Sequence, residues 1–209
     1  DLYYSGKISR QEAEYLLTFC NNPSPAFLIT YVGQICLEGK INPWIPAGIL
    51  LLADLICMCF FRFCIYSKNS TLSFYPKSSV QTSKPSVALL DSVIMNSFET
   101  MAKLGGYILM FSVLSAAVGH FWYLPETWKY IFLGMLEITT GLYRLLLSGF
   151  SYSVRMLLAL CMCAFGGGCI MAQTKSVLGK ELSLRWYASA KCMNTAITAV
   201  LTLIYLCLQ

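Results

Sequence analysis

Read for apolar and polar positions, the chain divides into long uncharged stretches separated by short charged ones. No charged residue occurs in 15–37, 104–125, 156–174 or 192–209. A helix needs about 20 mostly apolar residues to cross about 30 Å of hydrocarbon, so each stretch is long enough to be a membrane segment. Plain spanning helices are expected over Leu104–Tyr123 and Trp186–Leu208. A further one is expected from Trp44 through Phe63, closing at 66, with Asp54 inside it and Arg62 near its end, where a long side chain can snorkel.

Two of the uncharged stretches are interrupted. Within Tyr15–Leu37 the run Cys20-Asn21-Asn22-Pro23-Ser24-Pro25 sets two prolines among polar side chains; within Met156–Thr174 the run is Phe165-Gly166-Gly167-Gly168. Such sequences unwind a helix, and unwound backbone at membrane depth is tolerated only where protein buries it or a cavity receives it. Both segments, 15–37 and 156–178, are therefore expected to be re-entrant helical hairpins, with 19–26 and 165–169 non-helical and close together. A third irregular stretch, Tyr130–Tyr143, carries Glu137-Ile138-Thr139-Thr140-Gly141. An ionisable group at such depth marks a candidate site, and an interface helix with Glu137 in water is the alternative.

Between these segments the polar pieces are few. Ser9-Arg10-Gln11-Glu12 has the form of a capping box and opens a helix. Residues 67–86, rich in Ser, Thr, Lys and Pro without an acid, read as a loop. In 87–103, Leu90, Ile94, Phe98 and Met101 share one helical face while Asp91, Asn96, Glu99 and Lys103 lie off it, the pattern of an amphipathic interface helix.

Composition strengthens the membrane reading. The 209 residues are 57% hydrophobic and only 12% charged, against about 25% charged in soluble domains. A net charge of +5, dispersed along the chain, does not suit a nucleic-acid partner; it suits basic loops beside a lipid bilayer. The single histidine, His120, removes most histidine-based catalytic and metal chemistry, and no enzyme activity, metal site or cofactor is expected. The ten cysteines lie mostly in apolar runs, and the pairs Cys57/Cys59 and Cys161/Cys163 are spaced C-x-C, so buried free thiols are expected.

The interrupted segments have the same sequel. Pro23 precedes Trp44 by 21 residues and Gly167 precedes Trp186 by 19, with a basic connector between break and tryptophan each time. Break, connector, tryptophan, span thus occurs twice, the signature of an internal repeat with a transport site near the midplane. The expected segments are 1–66, the end of a first repeat; 67–86, a cytoplasmic loop; and 87–209, a second repeat. Arg62, Lys68, Lys77 and Lys84 make the loop cytoplasmic by the positive-inside bias. On that path 104–123 runs outward, Tyr130–Leu147 returns, Arg155 and Lys175, Lys180, Arg185 and Lys191 lie inside, and the last helix ends outside. The second repeat holds more helices than the first, so the chain is expected to be a C-terminal portion.

Several motifs carry a resemblance: Gly6-Lys7-Ile8-Ser9-Arg10-Gln11-Glu12-Ala13-Glu14 running into Phe19-Cys20-Asn21-Asn22, then Gly105-Gly106-Tyr107 and Phe111-Ser112, then Leu136 to Gly141, then Phe165 to Gly168 with Gln173. In this order they resemble the YlbJ-like sporulation integral membrane proteins, which carry the nucleoside-recognition or Gate domain. Family members read Ser-Gly-Pro where this chain has Pro23-Ser24-Pro25. The resemblance implies an all-α polytopic membrane protein of inverted-repeat Gate type, with about four or five spanning helices here. It further implies an endospore-forming bacterium and the mother-cell-derived outer forespore membrane. The implied activity is export of dipicolinate toward the forespore, serving spore cortex and maturation.

For such a transporter of a small anionic substrate, the candidate binding residues are Asn21, Asn22, Ser24, Glu137, Thr139, Thr140, Gly166, Gly167, Gly168 and Gln173. Exposed helix N-termini suit a carboxylate, the neutral side chains add hydrogen bonds, and the glycines permit close backbone approach. The same residues also serve as caps, back-bonded hydroxyls and packing glycines. A non-transporting membrane scaffold and a nucleoside or ion transporter of Gate type are the competing functions, and a homo-oligomer is left open.

Overall fold

The computed structural model describes residues 3, 6–66, 87–123, 125–178 and 182–209; the expected loop 67–86 and Lys180 lie outside them. The described residues form only helices and connecting turns. Four helical stretches are long and apolar enough to cross a membrane, namely Trp44–Ile65, Leu90–His120, Tyr152–Val177 and Arg185–Leu208. This is an all-α polytopic membrane protein.

Helix α1 (Arg10–Cys20) begins as the capping box predicts: the Ser9 hydroxyl accepts from Glu12 N at 3.2 Å, and Ser9 N donates to the Glu12 carboxylate at 2.8 Å. It ends at Asn21, and residues 21–24 are non-helical. The chain then rewinds from Pro25 and runs on as π1 (Phe27–Cys36), wound with the wider i→i+5 pattern. Next come α2 (Trp44–Phe60) with its π-wound extension π2 (Phe61–Ile65), α3 (Val87–His120), α4 (Glu126–Leu136), α5 (Ile138–Leu146), α6 (Tyr152–Phe165), α7 (Gly167–Val177) and α8 (Arg185–Leu208).

Contacts fix the direction of each element. Helices α2 and α8 are antiparallel: the Cys57 thiol points to Ala190 O, Asn194 bonds Asp54, and Phe61 and Trp186 meet edge-on at 6.4 Å. The bundle thus has a lower end, marked by Ile65 and Arg185, and an upper end, marked by Trp44 and Leu208. Glu14 accepts from Ser183 N, and Tyr15 packs on Tyr66, so α1 starts at the lower end. Past the break, Tyr31 reaches Thr139 O, Cys36 reaches Leu142 O, and Glu38 pairs with Arg155. The stretch 10–36 therefore traverses the bundle from bottom to top.

The same reasoning applies to α6 and α7 in the opposite sense. Arg155 places the start of α6 at the top beside Glu38, whereas Thr174 on α7 and Tyr187 at the foot of α8 both accept from Asn21. Only Gly166 lies outside helix between the two halves, in a left-handed conformation (φ +82°) that glycine adopts without strain.

The expected re-entrant hairpins at 15–37 and 156–178 are thus replaced by two spans, each broken midway and running in opposite directions. A hairpin requires its arms to lie side by side. Here the arms find different partners: α1 packs on α8 and π1 on α2 and α5, while α6 packs on α8 and α7 on α3 and α4.

The helical hairpin is instead at Glu137. Tyr130–Leu147 is not a returning span: α4 descends from the upper end, the chain reverses at Glu137, and α5 climbs back alongside. The two arms touch backbone to backbone, since a Cβ on Gly141 would stand 2.2 Å from the Gly134 Cα. Arg155 accordingly lies at the end opposite Ile65 and Arg62, whereas the charge bias puts Arg155 and Arg62 on one side. A second correction concerns 87–103, which is no separate interface helix. Gly105 and Gly106 do not interrupt α3, and the amphipathic segment continues into the span.

Two predictions follow from these contacts. Gly141→Ala forces α4 and α5 apart and should lower stability by about 1–3 kcal/mol. Gly48→Ala, with nothing within 4 Å of the new Cβ, should be neutral or stabilising by up to about 1 kcal/mol. Thermal unfolding in detergent reads both. At the upper end, hydrogen bonds from Lys40 and Arg155 hold the exposed Glu38 carboxyl down at about 2. A depressed folded-state value stabilises fully above the unfolded carboxylate range near 4.3 and fades as pH falls toward 2. The melting temperature of Glu38→Gln should therefore lie below wild type at pH 7 and converge with it as pH approaches 2.

Candidate functional site

The four-residue break after α1 leaves carbonyl groups without helical partners, and a cation from another helix supplies one. Lys191, on α8 and 1% exposed, donates from Nζ to Asn21 O at 2.6 Å and to Asn22 Oδ1 at 2.7 Å. This places a positive charge at the C-terminal end of α1, where the helix dipole favours it. Asn21 Nδ2 donates to Thr174 Oγ1 at 2.8 Å and to Tyr187 OH at 3.1 Å, so the first break is tied to α7 and α8. Asn22 Nδ2 donates back to Phe19 O. Ser24 accepts from Phe27 N at 3.2 Å and caps the rewound helix.

Lys191 belongs to a stripe. Tyr187, Lys191, Asn194, Thr198 and Thr202 recur every three or four residues along α8 and are all at most 4% exposed, although this helix reads as a plain span. Asn194 Nδ2 donates to Asp54 Oδ1 at 2.7 Å. Asp54 lies ten residues past Trp44, a rise of about 15 Å, which is half the hydrocarbon thickness. The Asn194 Oδ1 and Thr198 Oγ1 atoms are buried without a hydrogen-bond partner among the described residues.

Asp54 and Asn194 line a cavity of about 150 Å³ whose walls also include Asn22 and Pro23 from the first break, Cys163 and Ala164 just before the second, and the apolar Leu28, Leu50 and Leu51. The two breaks therefore share one mid-depth space. Non-helical backbone is shorter than expected, 21–24 rather than 19–26 and Gly166 rather than 165–169.

The other candidates gather elsewhere. Glu137, 2% exposed, caps α5: its carboxylate accepts from Thr139 N at 2.9 Å, Thr139 Oγ1 at 2.7 Å and Thr140 N at 2.6 Å. The interface reading, with Glu137 in water, is excluded by this burial. Gly167 and Gly168 press against the exposed carbonyls at the end of α4; a Cβ on Gly167 would stand 3.3 Å from both Met135 O and Leu136 O. Gln173 Nε2 reaches Cys169 Sγ at 3.3 Å and Leu104 O at 3.4 Å. Of the ten candidates, Asn22 alone lines the cavity and Asn21 and Ser24 flank it; Glu137, Thr139 and Thr140 lie at the α4–α5 reversal, and Gly166, Gly167, Gly168 and Gln173 lie at the second break and along α7.

Lys191, Asp54 and Asn194 are the residues that sequence reading passed over. Lys191 falls within the expected span Trp186–Leu208 but reads there as one of the basic residues on the inner side. Its spacing from Tyr187, Asn194, Thr198 and Thr202 is the signal that marks it as buried.

Compared with protein-family models, curated proteins and solved structures, the chain matches none.

The capping geometry sets what Glu137→Gln should do. An amide offers a single acceptor oxygen and two N–H groups that would face the Thr139 and Thr140 donors. The substitution should cost about 1–3 kcal/mol of stability, with Thr139→Val, which deletes only the hydroxyl contact, costing less. Unfolding midpoints of the purified variants check both.

Proposed function

We propose that this protein is a secondary transporter of a small anionic metabolite, binding it in the cavity between the two breaks. The observation that carries the reading is the cavity at mid-depth whose wall holds the Asp54 carboxylate and the unpartnered Asn194 oxygen, with the buried Lys191 ammonium one hydrogen bond behind it through Asn22. Such groups are expensive in hydrocarbon, where they mark ion and substrate pathways. A rigid scaffold has no use for them. A cavity of about 150 Å³ matches the volume that admits one benzene-sized ring.

Several features favour an inverted repeat of Gate type. A broken span followed by an intact one occurs as 10–65 and again as 152–208, the two units running in opposite directions. Discontinuous helices meeting at the midplane are the usual architecture of such sites. Together with the motif resemblance, this supports the sporulation membrane family. The substrate is then dipicolinate, a pyridine ring with two carboxylates, carried from the mother cell across the outer forespore membrane.

The test is uptake of radiolabelled dipicolinate into vesicles containing the purified protein. Uptake above protein-free vesicles is expected. Lys191→Met should reduce it at least tenfold, while Lys191→Arg, which keeps the charge, should retain a measurable part. Uptake equal to that of protein-free vesicles would overturn the reading.

A further inference from the structure

The cavity has one acid in its wall and one base behind it. Asp54 is in its wall, and Lys191 lies one hydrogen bond behind it, through Asn22. No ion pair within 4 Å joins them among the described residues, yet together they keep the region's charge balanced. Lys191 uses two of its three N–H donors on Asn21 and Asn22. Asp54 receives a hydrogen bond from Asn194, whose own Oδ1 has no hydrogen-bond partner among the described residues.

A carboxylate entering this space meets a conflict. At low effective dielectric, a negative charge a few ångströms from an ionised Asp54 is strongly repelled. With Asp54 ionised, the single positive charge of Lys191 is already offset before any anion enters. The repulsion is relieved if Asp54 takes up a proton, since the neutral acid presents an O–H that donates to an incoming carboxylate and leaves the ammonium's charge to the substrate.

Resting on the transport reading, we propose that Asp54 is the proton-carrying group of the cycle, so that each substrate molecule crosses with one proton bound to Asp54, while Lys191 supplies the fixed positive charge. The proton arrives at an Asp54 carboxylate oxygen from water on the loading side and returns to water on the release side. No other bond is made or broken. Release of the anion leaves the protonated acid beside the ammonium, and loss of the proton restores the balanced pair.

Other titratable groups on the elements packed against α2 do not compete. They include Tyr15 and Cys20 on α1, Tyr31 and Cys36 on π1, Cys57 and Cys59 on α2 itself, Cys64 on π2, Tyr152, Cys161 and Cys163 on α6, and Tyr187, Cys192, Tyr205 and Cys207 on α8. Phenols and thiols ordinarily titrate well above neutrality. Arg155 is paired with Glu38 at the upper end, Glu12 and Glu14 lie at the lower end of α1, and Arg62 sits over the Tyr15 ring at 5.9 Å, near that lower end. Among the described residues lining the cavity, Asp54 is the one carboxylic acid.

The experiment uses the protein in vesicles with the membrane potential clamped at zero and dipicolinate as the probe. One proton moving down a tenfold gradient carries the free energy of about tenfold accumulation of its partner. Wild type should therefore accumulate dipicolinate about tenfold for each tenfold inward proton gradient, and a trapped pH dye should report acidification that depends on dipicolinate. Asp54→Asn, near-isosteric and permanently neutral, should abolish both accumulation and acidification. It should also bind dipicolinate at pH 8 more tightly than wild type, with an affinity that no longer changes with pH. Wild-type uptake that ignores the proton gradient, or coupling that survives in Asp54→Asn, overturns this inference and leaves the transport reading standing. Wild-type vesicles that take up no dipicolinate at any pH overturn both.

Discussion

The arrangement depends on a single solution to a single problem, namely what to do with the end of a helix that stops in the middle of a membrane. Helix α1 ends at Asn21 with carbonyl groups that water cannot reach, and each unpaired group in hydrocarbon costs several kcal/mol. Lys191 answers from α8, its ammonium held by Asn21 O and Asn22 Oδ1. That contact commits α8 to lie beside the break. It also puts a charge at depth, for which Asp54 and Asn194 then provide the counterweight.

The second break is settled differently, and the difference is instructive. Gly166 and Gly167, both at positive φ, turn the chain without leaving a long unwound stretch, so little backbone needs outside help. What they need is proximity. The carbonyls of Gly134, Met135 and Leu136 stand 3.3–3.4 Å from where a Gly167 Cβ would be, so the tip of the α4–α5 hairpin is the seat of α7. One break is held by charge, the other by close backbone packing; the cavity lies between them.

Much of this was legible in the sequence. The apolar runs marked the spans, the Ser9–Glu12 box marked the start of α1, and the Pro-Ser-Pro and triple-glycine motifs marked both interruptions. What a break does to the path was not legible, because an interruption in a run of apolar residues is compatible with a reversal or with a continued crossing. Only the neighbours of each half decide, and these are non-local. Glu137 read as a binding group because acids at depth are usually functional; its three local hydrogen bonds depend on the rotamer and on a reversal of the chain. Lys191 was misread for a simpler cause: a lysine near the start of a span reads as a charge at the membrane surface, whereas its burial comes from the break in α1, a non-local partner.

Helix α3 raises a different matter, its length. At 34 residues it extends about 51 Å, while the other candidate spans, at 22 to 26 residues, extend about 33–39 Å. A bilayer core of about 30 Å is matched by the shorter helices with modest inclination, but α3 exceeds it even at a tilt of about 40°, which accommodates some 39 Å. At that tilt about 12 Å of its lower end, roughly eight residues, extends past the acyl chains. Hydrophobic mismatch is concentrated in this one helix. A membrane a few ångströms thicker would cover more of its apolar flank without straining the rest, which makes bilayer thickness a selective environment for the protein.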